Sequence, residues 1–153
     1  MTNRLETLED WAAGLLGQLE PSACSKLAGS LAQALRRSQQ KRIITQRNRD
    51  GSKYAPRRRR NLRGLQGRVR RKVHMFRKLR TVRFLRTQGD GNTISVGFTG
   101  RNARIAKVHQ YGLSERAERE APDVKYEQRE VLGFTKADLD QIRNGLLEHL
   151  FKP

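Results

Sequence analysis

Four consecutive arginines, Arg57, Arg58, Arg59 and Arg60, followed shortly by Arg68-Val69-Arg70-Arg71-Lys72, form the one constellation in this sequence with an obvious chemistry. A guanidinium is permanently charged, only donates hydrogen bonds, and matches phosphate and carboxylate oxygens in pairs. These side chains, Arg57, Arg58, Arg59, Arg60, Arg68, Arg70, Arg71 and Lys72, are therefore the candidate interaction residues. Three kinds of partner are open to them. They could neutralise nucleic-acid phosphates and release counterions, dock on an acidic neighbouring subunit, or lie on an anionic membrane. We rank docking first and nucleic acid second. The membrane comes last, because the region lacks a face rich in leucine and aromatic residues. Tyr54 and Phe76 are the only aromatics within residues 36–83, too few for a base-stacking platform, and nothing supports specific base reading.

The rest of the reactive inventory reads as structural. His74, His109 and His149 have no cysteine or carboxylate at a metal-ligand spacing, so no metal site is expected. His109, closing an apolar stretch after Val108, reads as a hydrogen-bonded structural residue. Cys24 is the single cysteine, which excludes an intrachain disulfide and fits a reducing cytoplasm. Glu115, Glu118 and Glu120 sit in a charged connection and read as a solvated surface. Gly89-Asp90-Gly91 lacks the lysine and helix that a phosphate cradle needs, so a hairpin turn is the better reading. Ser95 lies inside a strand pattern. No catalytic residue and no cofactor are expected, and the chain reads as a non-enzyme.

Around these residues the apolar pattern sets the elements. Leu5, Leu8, Ala12, Leu15, Leu16 and Leu19 recur at spacings of three and four, predicting a first helix over residues 4–19. Pro21 stops it, and Ser22 could cap a second helix that turns Leu27, Leu31, Ala34 and Leu35 inward and runs to about Gln46. Asn48-Arg49-Asp50-Gly51 is a turn signal. Residues 48–70 read as a long basic exposed loop, because like charges repel and apolar side chains are scarce. A short helical turn after Met75-Phe76 leads into a β-hairpin near residues 80–87 and 93–99, where Ile94, Val96 and Phe98 alternate. The stretch Ala103, Ile105, Ala106, Val108, His109 then fits a short helix or a buried irregular segment and ends at Tyr111-Gly112, with glycine suited to a C-terminal cap. One further strand is expected among Val124, Tyr126, Val131, Leu132 and Phe134. Thr135-Lys136-Ala137-Asp138 then opens a last helix as a capping box, with Leu139, Ile142, Leu146, Leu147 and Leu150 on its buried face. The fold class is α+β: N-terminal helices, a small antiparallel sheet with a hairpin, a C-terminal helix and the basic loop.

The chain has 153 residues and a net charge of +18. From Arg36 to Arg86 there are 21 Lys and Arg against one acid, Asp50, a net +20 that leaves the other 102 residues at −2. The charge is regional, so the core must come from the two ends, within one domain over residues 1–153. No apolar run is long enough to span a bilayer, and Glu6, Glu9 and Asp10 stand where a signal peptide would be apolar.

Several stretches taken in order carry a resemblance. They are Leu31-Ala32-Gln33 with Arg36-Arg37-Ser38-Gln39-Gln40-Lys41-Arg42-Ile43; residues 46–57, from Gln46-Arg47-Asn48 to Tyr54-Ala55-Pro56-Arg57; and Met75-Phe76-Arg77-Lys78-Leu79-Arg80. Val96-Gly97-Phe98-Thr99-Gly100-Arg101, Ile105-Ala106-Lys107-Val108-His109-Gln110-Tyr111-Gly112 and Arg129-Glu130-Val131-Leu132-Gly133-Phe134-Thr135 complete it. Together they resemble the phage virion morphogenesis family, which includes tail completion proteins of contractile-tailed temperate phages. Where the family pattern tends to place a proline just before the arginine, this chain has Glu127-Gln128. The resemblance implies a structural protein that completes the head-proximal end of the tail for head–tail joining, as a homo-oligomeric ring at the neck. It implies tail tube or terminator and head–tail connector proteins as neighbours, contact with packaged DNA, no membrane, and a location in the host cytoplasm during assembly and then in the virion neck or tail. The alternative from the residues is a non-specific nucleic-acid-binding protein using the arginine-rich region 36–86.

Overall fold

The computed structural model describes residues 4–57, 74–116 and 119–152. Its order is α1 (Arg4–Gln18), α2 (Pro21–Ile44), β1 (Leu85–Gly89), β2 (Ile94–Phe98), α3 (Arg101–Tyr111), β3 (Ser114–Arg116), β4 (Asp123–Lys125) and α4 (Lys136–Leu150). The fold is α+β, with two small antiparallel hairpins, β1–β2 and β3–β4. Pro21 opens α2 rather than preceding it. The first helical position needs no N–H donor, and Glu20 O accepts the first bond from Cys24 N at 2.9 Å. The chain divides into two compact units, Met1–Ser38 with Arg86–Gly97 and Phe134–Pro153, and Gln39–Leu85 with Phe98–Gly133.

In the first unit α2 supplies the buried face, with Ala28, Leu31, Ala32 and Leu35. The hairpin lies directly on it: a Cβ at Gly89 would stand 3.0 Å from the Ala28 carbonyl, so any larger residue there would press on the α2 backbone. Gln33 Nε2 donates to Thr87 Oγ1 at 3.2 Å. The hairpin turn is closed by Asp90, whose carboxylate accepts from Asn92 N and Thr93 N, both at 2.8 Å. α4 packs so closely on α2 that a Cβ at Gly145 would meet Leu31 Cδ2 at 2.7 Å. α1 lies against α4, where His149 Nε2–H donates to Gln18 O at 2.7 Å. The expected capping box is present: Thr135 Oγ1 accepts from Asp138 N, and Asp138 Oδ2 accepts from Thr135 N.

The stripes expected to be buried on α1 and α4 are largely open. Leu8 and Leu16 on α1, Leu19 just past its end, and Leu139, Leu146 and Leu147 on α4 are exposed, while Ala12, Leu15, Ile142 and Leu150 are half-buried. The reason is geometric. α1 packs on α4, and α4 on both α1 and α2, and these contacts leave uncovered part of each apolar stripe, which spans more than a quarter of the helix circumference.

In the second unit Ile43, Leu79, Ala106 and Val131 form a buried cluster, with Phe76 and Phe98 packed on it. Residues 77–84 are a run of turns, tied by Arg80 N to Phe76 O and by Leu85 N to Thr81 O. α3 ends as expected: Gly112 is left-handed, and its N–H bonds to Val108 O. β3 and β4 pair antiparallel with Glu115 opposite Val124. The strand expected over Val124–Phe134 extends only to Lys125. Beyond it the backbone is taken up by side chains instead of by a partner strand.

Candidate functional site

The second unit is organised around the irregular segment 127–133, held by polar side chains from three directions. Gln110 on α3 pairs with the backbone of Leu132, accepting from its N–H at 2.9 Å and donating to its carbonyl at 3.0 Å. From α2, Gln39 Oε1 accepts from Gly133 N at 3.1 Å and Arg42 Nη1 donates to Gly133 O at 3.1 Å. Past the end of α2, Asn48 Oδ1 accepts from Glu130 N, Arg49 N donates to the Glu130 carboxylate, and Tyr54 OH donates to Glu130 O. Backbone that has no ladder partner and is shielded from water must find such side chains.

At the centre is Arg129, buried at 4% exposure. Its guanidinium donates to three carbonyls, Ala55 O at 2.9 Å, Pro56 O at 3.0 Å and Glu127 O at 3.2 Å. Those bonds clamp the segment that delivers Arg57. Beside it His109 stands edge-on to Phe76 and Tyr126, with ring centroids 4.8 Å and 5.0 Å away. Its Nδ1 is 3.3 Å from Arg129 Nη1. Because arginine can only donate, Nδ1 carries the lone pair and the proton sits on Nε2. Burial first, then the charges of Arg129 and Arg57, push the imidazole down to about 4, with Glu115 opposing. At neutral pH His109 is thus an uncharged packing and acceptor residue. Burial raises Tyr54 to about 12, in keeping with a phenol that serves as a donor.

The basic loop begins as a built turn. Asn48 N bonds to Ser52 O at 2.8 Å, Arg47 bridges Lys53, and Gly51 takes φ +87°. Asp50 accepts from the N–H and hydroxyl of Ser52, bonds that hold its carboxyl below the ordinary range. Of the candidate interaction residues, Arg57 is described and exposed. Arg58, Arg59, Arg60, Arg68, Arg70, Arg71 and Lys72 lie outside the described residues. An open cleft of about 440 Å³ beside the β3–β4 hairpin holds Arg104, Lys107, Glu115, Arg116 and Asp123. Its acids are taken up in ion pairs, Arg104 with Glu115 and Arg116 with Asp123. Among the described residues no His, Cys, Asp or Glu group could hold a metal ion, and no helix is long and apolar enough to cross a membrane.

Sequence reasoning missed the clamp residues Arg129, Gln39, Gln46, Asn48 and Gln110. Gln46 shows the signal that could have found them. It follows Ile43-Ile44 in an apolar pattern, and its amide pairs with Met75 N at 2.8 Å and Met75 O at 3.0 Å. The clamp is built from the stretches 39–43, 46–57, 105–112 and 129–135, which are among those that carried the resemblance. The model of the phage virion morphogenesis family matches residues 3–151, both units together. The chain belongs to this family. It is also 41% identical over 149 residues to tail completion protein S of Escherichia phage P2, covering 97% of this chain and 98% of that one. No solved structure matches it. As a member of the virion morphogenesis family, the chain places family-like stretches at the points where loop backbone is anchored.

Proposed function

We propose that this chain is a structural assembly protein, not an enzyme, which completes the head-proximal end of a phage tail for head–tail joining as a homo-oligomeric ring at the neck. The observation that carries this reading is the near-full-length identity to a protein named tail completion protein S. The two units act together as one virion morphogenesis domain over residues 1–153, since the family match runs across both. The neighbours are tail tube or terminator and connector proteins. The protein works in the host cytoplasm during assembly and then in the virion neck or tail. Arg57, Arg58, Arg59, Arg60, Arg68, Arg70, Arg71 and Lys72 are its contact residues. The clamp supports this role for the run, because Arg129 holds Ala55 and Pro56 and so sets where the arginines start.

One observation favours a second reading, non-specific nucleic-acid binding through residues 36–86. The second unit holds 25 Lys and Arg against seven acids and so carries the whole +18, while the first holds eight of each sign. Replacing Arg57 to Arg60 by serine separates the two. Docking on acidic neighbours requires tails made with the variant to fail in joining filled heads in a complementation assay, while weak DNA binding persists through the remaining cations. Nucleic-acid coating requires DNA affinity to fall, with the salt slope reduced by about 0.9 for each phosphate that the variant no longer neutralises. Normal joining by the variant would remove the docking role.

A further inference from the structure

The first unit exposes a set of large apolar side chains that its own fold does not cover. On α1 and just beyond it these are Leu8, Trp11, Leu16 and Leu19; on α4 and just beyond it they are Leu139, Leu146, Leu147 and Phe151. Trp11 is 60% exposed, Leu16 66% and Phe151 71%. No side chain from Glu6 to Gln18 is buried. A helix of 15 residues is marginal in water unless an apolar face is packed, so α1 as it stands lacks much of the packing that would hold it.

Charge selects what covers this face. The first unit is neutral, with eight cations and eight acids, and the second carries the entire +18. A polyanion or an acidic protein is drawn to the second unit, not to a neutral face. An anionic lipid surface is repelled by Glu6, Glu9 and Asp10 on α1. Another copy of this chain has the opposite problem: its second unit repels that of its neighbour, so copies can approach closely only where each is neutral. The uncovered residues also come from two different helices, α1 and α4, with the residues just beyond each. Contact between unlike patches is head-to-tail and can close into a ring.

We propose that this chain self-associates through its terminal helices, the apolar face of α1 on one copy packing on that of α4 on the next. The inference deepens the ring reading by naming its surface, and the surface and the biological role are tested separately. Trp11 is the only tryptophan, so its emission reports the face directly. The full chain, treated with nuclease and held at about 0.5 M salt to screen exposed charge, is examined by light scattering and fluorescence across a concentration series. The expected result is a mass of several copies with blue-shifted Trp11 emission, both relaxing together on dilution. Leu16→Lys and Leu146→Asp should each yield folded monomers in which Trp11 emits as a solvent-exposed indole. Leu16 is so little covered within the chain that Leu16→Lys decides the matter if Leu146→Asp fails to fold. A wild-type chain that stays monomeric when concentrated, association that vanishes with nuclease, or oligomers of unchanged mass in Leu16→Lys would each overturn the proposal. A monomeric variant that still joined tails to heads would leave the surface standing and remove the ring function.

Discussion

Arg129 combines burial, permanent charge and five donors, and it directs them at backbone carbonyls from two separate stretches, Ala55-Pro56 and Glu127. A lysine has the charge but not the planar fork, so it could not reach three carbonyls at once. His109 is the counterpart that must stay neutral, because its lone pair faces that guanidinium. Its folded pKa of about 4 lies below the ordinary value of 6.5, so the unfolded chain binds the proton more tightly and acid favours unfolding. This contribution is fully present above about pH 6.5 and is lost as pH falls through 4. His109→Asn, which keeps an acceptor near Arg129 and cannot titrate, should flatten the fall of Tm across that window relative to the wild type. Parallel Tm curves for the two proteins would show that His109 does not titrate against Arg129. Sequence context alone identified the residue as structural, since it closes an apolar stretch. It could not supply the partner, which is 20 residues away.

At the scale of elements, some chemistry that acts over a few residues was legible, although the Pro21-Ser22 signal was not, since Pro21 itself opens α2. Thr135 three positions before Asp138 predicts a capping box, and the box forms. Thr135→Ala should therefore cost about 1 kcal/mol, a fall of roughly 3 °C in Tm for a chain of this size. Thr135→Ser should lose much less, and equal losses for both would show that the methyl group matters rather than the cap. The hairpin over β1 and β2 and the Gly112 cap were legible for the same reason. The strand expected over Val124–Phe134 was not. Apolar residues recur there, at Val124, Tyr126, Val131, Leu132 and Phe134, but Gln39, Asn48, Tyr54 and Gln110 occupy the backbone of residues 130–133. Such competition comes from residues up to 94 positions away and leaves no local trace.

For the whole molecule, the charged middle of the chain contributes to the core, contrary to the expectation that only the two ends would: Ile43, Tyr54, Leu79 and Leu85 are buried. Tyr54 is anchored and Arg57 is exposed, while residues 57–63 offer only Leu62 as an apolar side chain. Deleting residues 57–63 should leave thermal unfolding cooperative and Tm within about 3 °C, the shift that roughly 1 kcal/mol produces. Loss of the cooperative transition would place that stretch in the core. The α+β class, the helices, the β1–β2 hairpin, the regional charge and the family could be read along the chain, because each rests on periodicity, short spacing or ordered motifs; the β3–β4 hairpin could not, since its residues read as a charged connection. Folding in three dimensions settled the rest: the stripes on α1 and α4 remain open, and Arg129, not a histidine or carboxylate, is the centre of the geometry around the basic loop. An amphipathic stripe announces that a face must be covered, but whether the same chain covers it depends on where the neighbouring elements lie, and that is a long-range property.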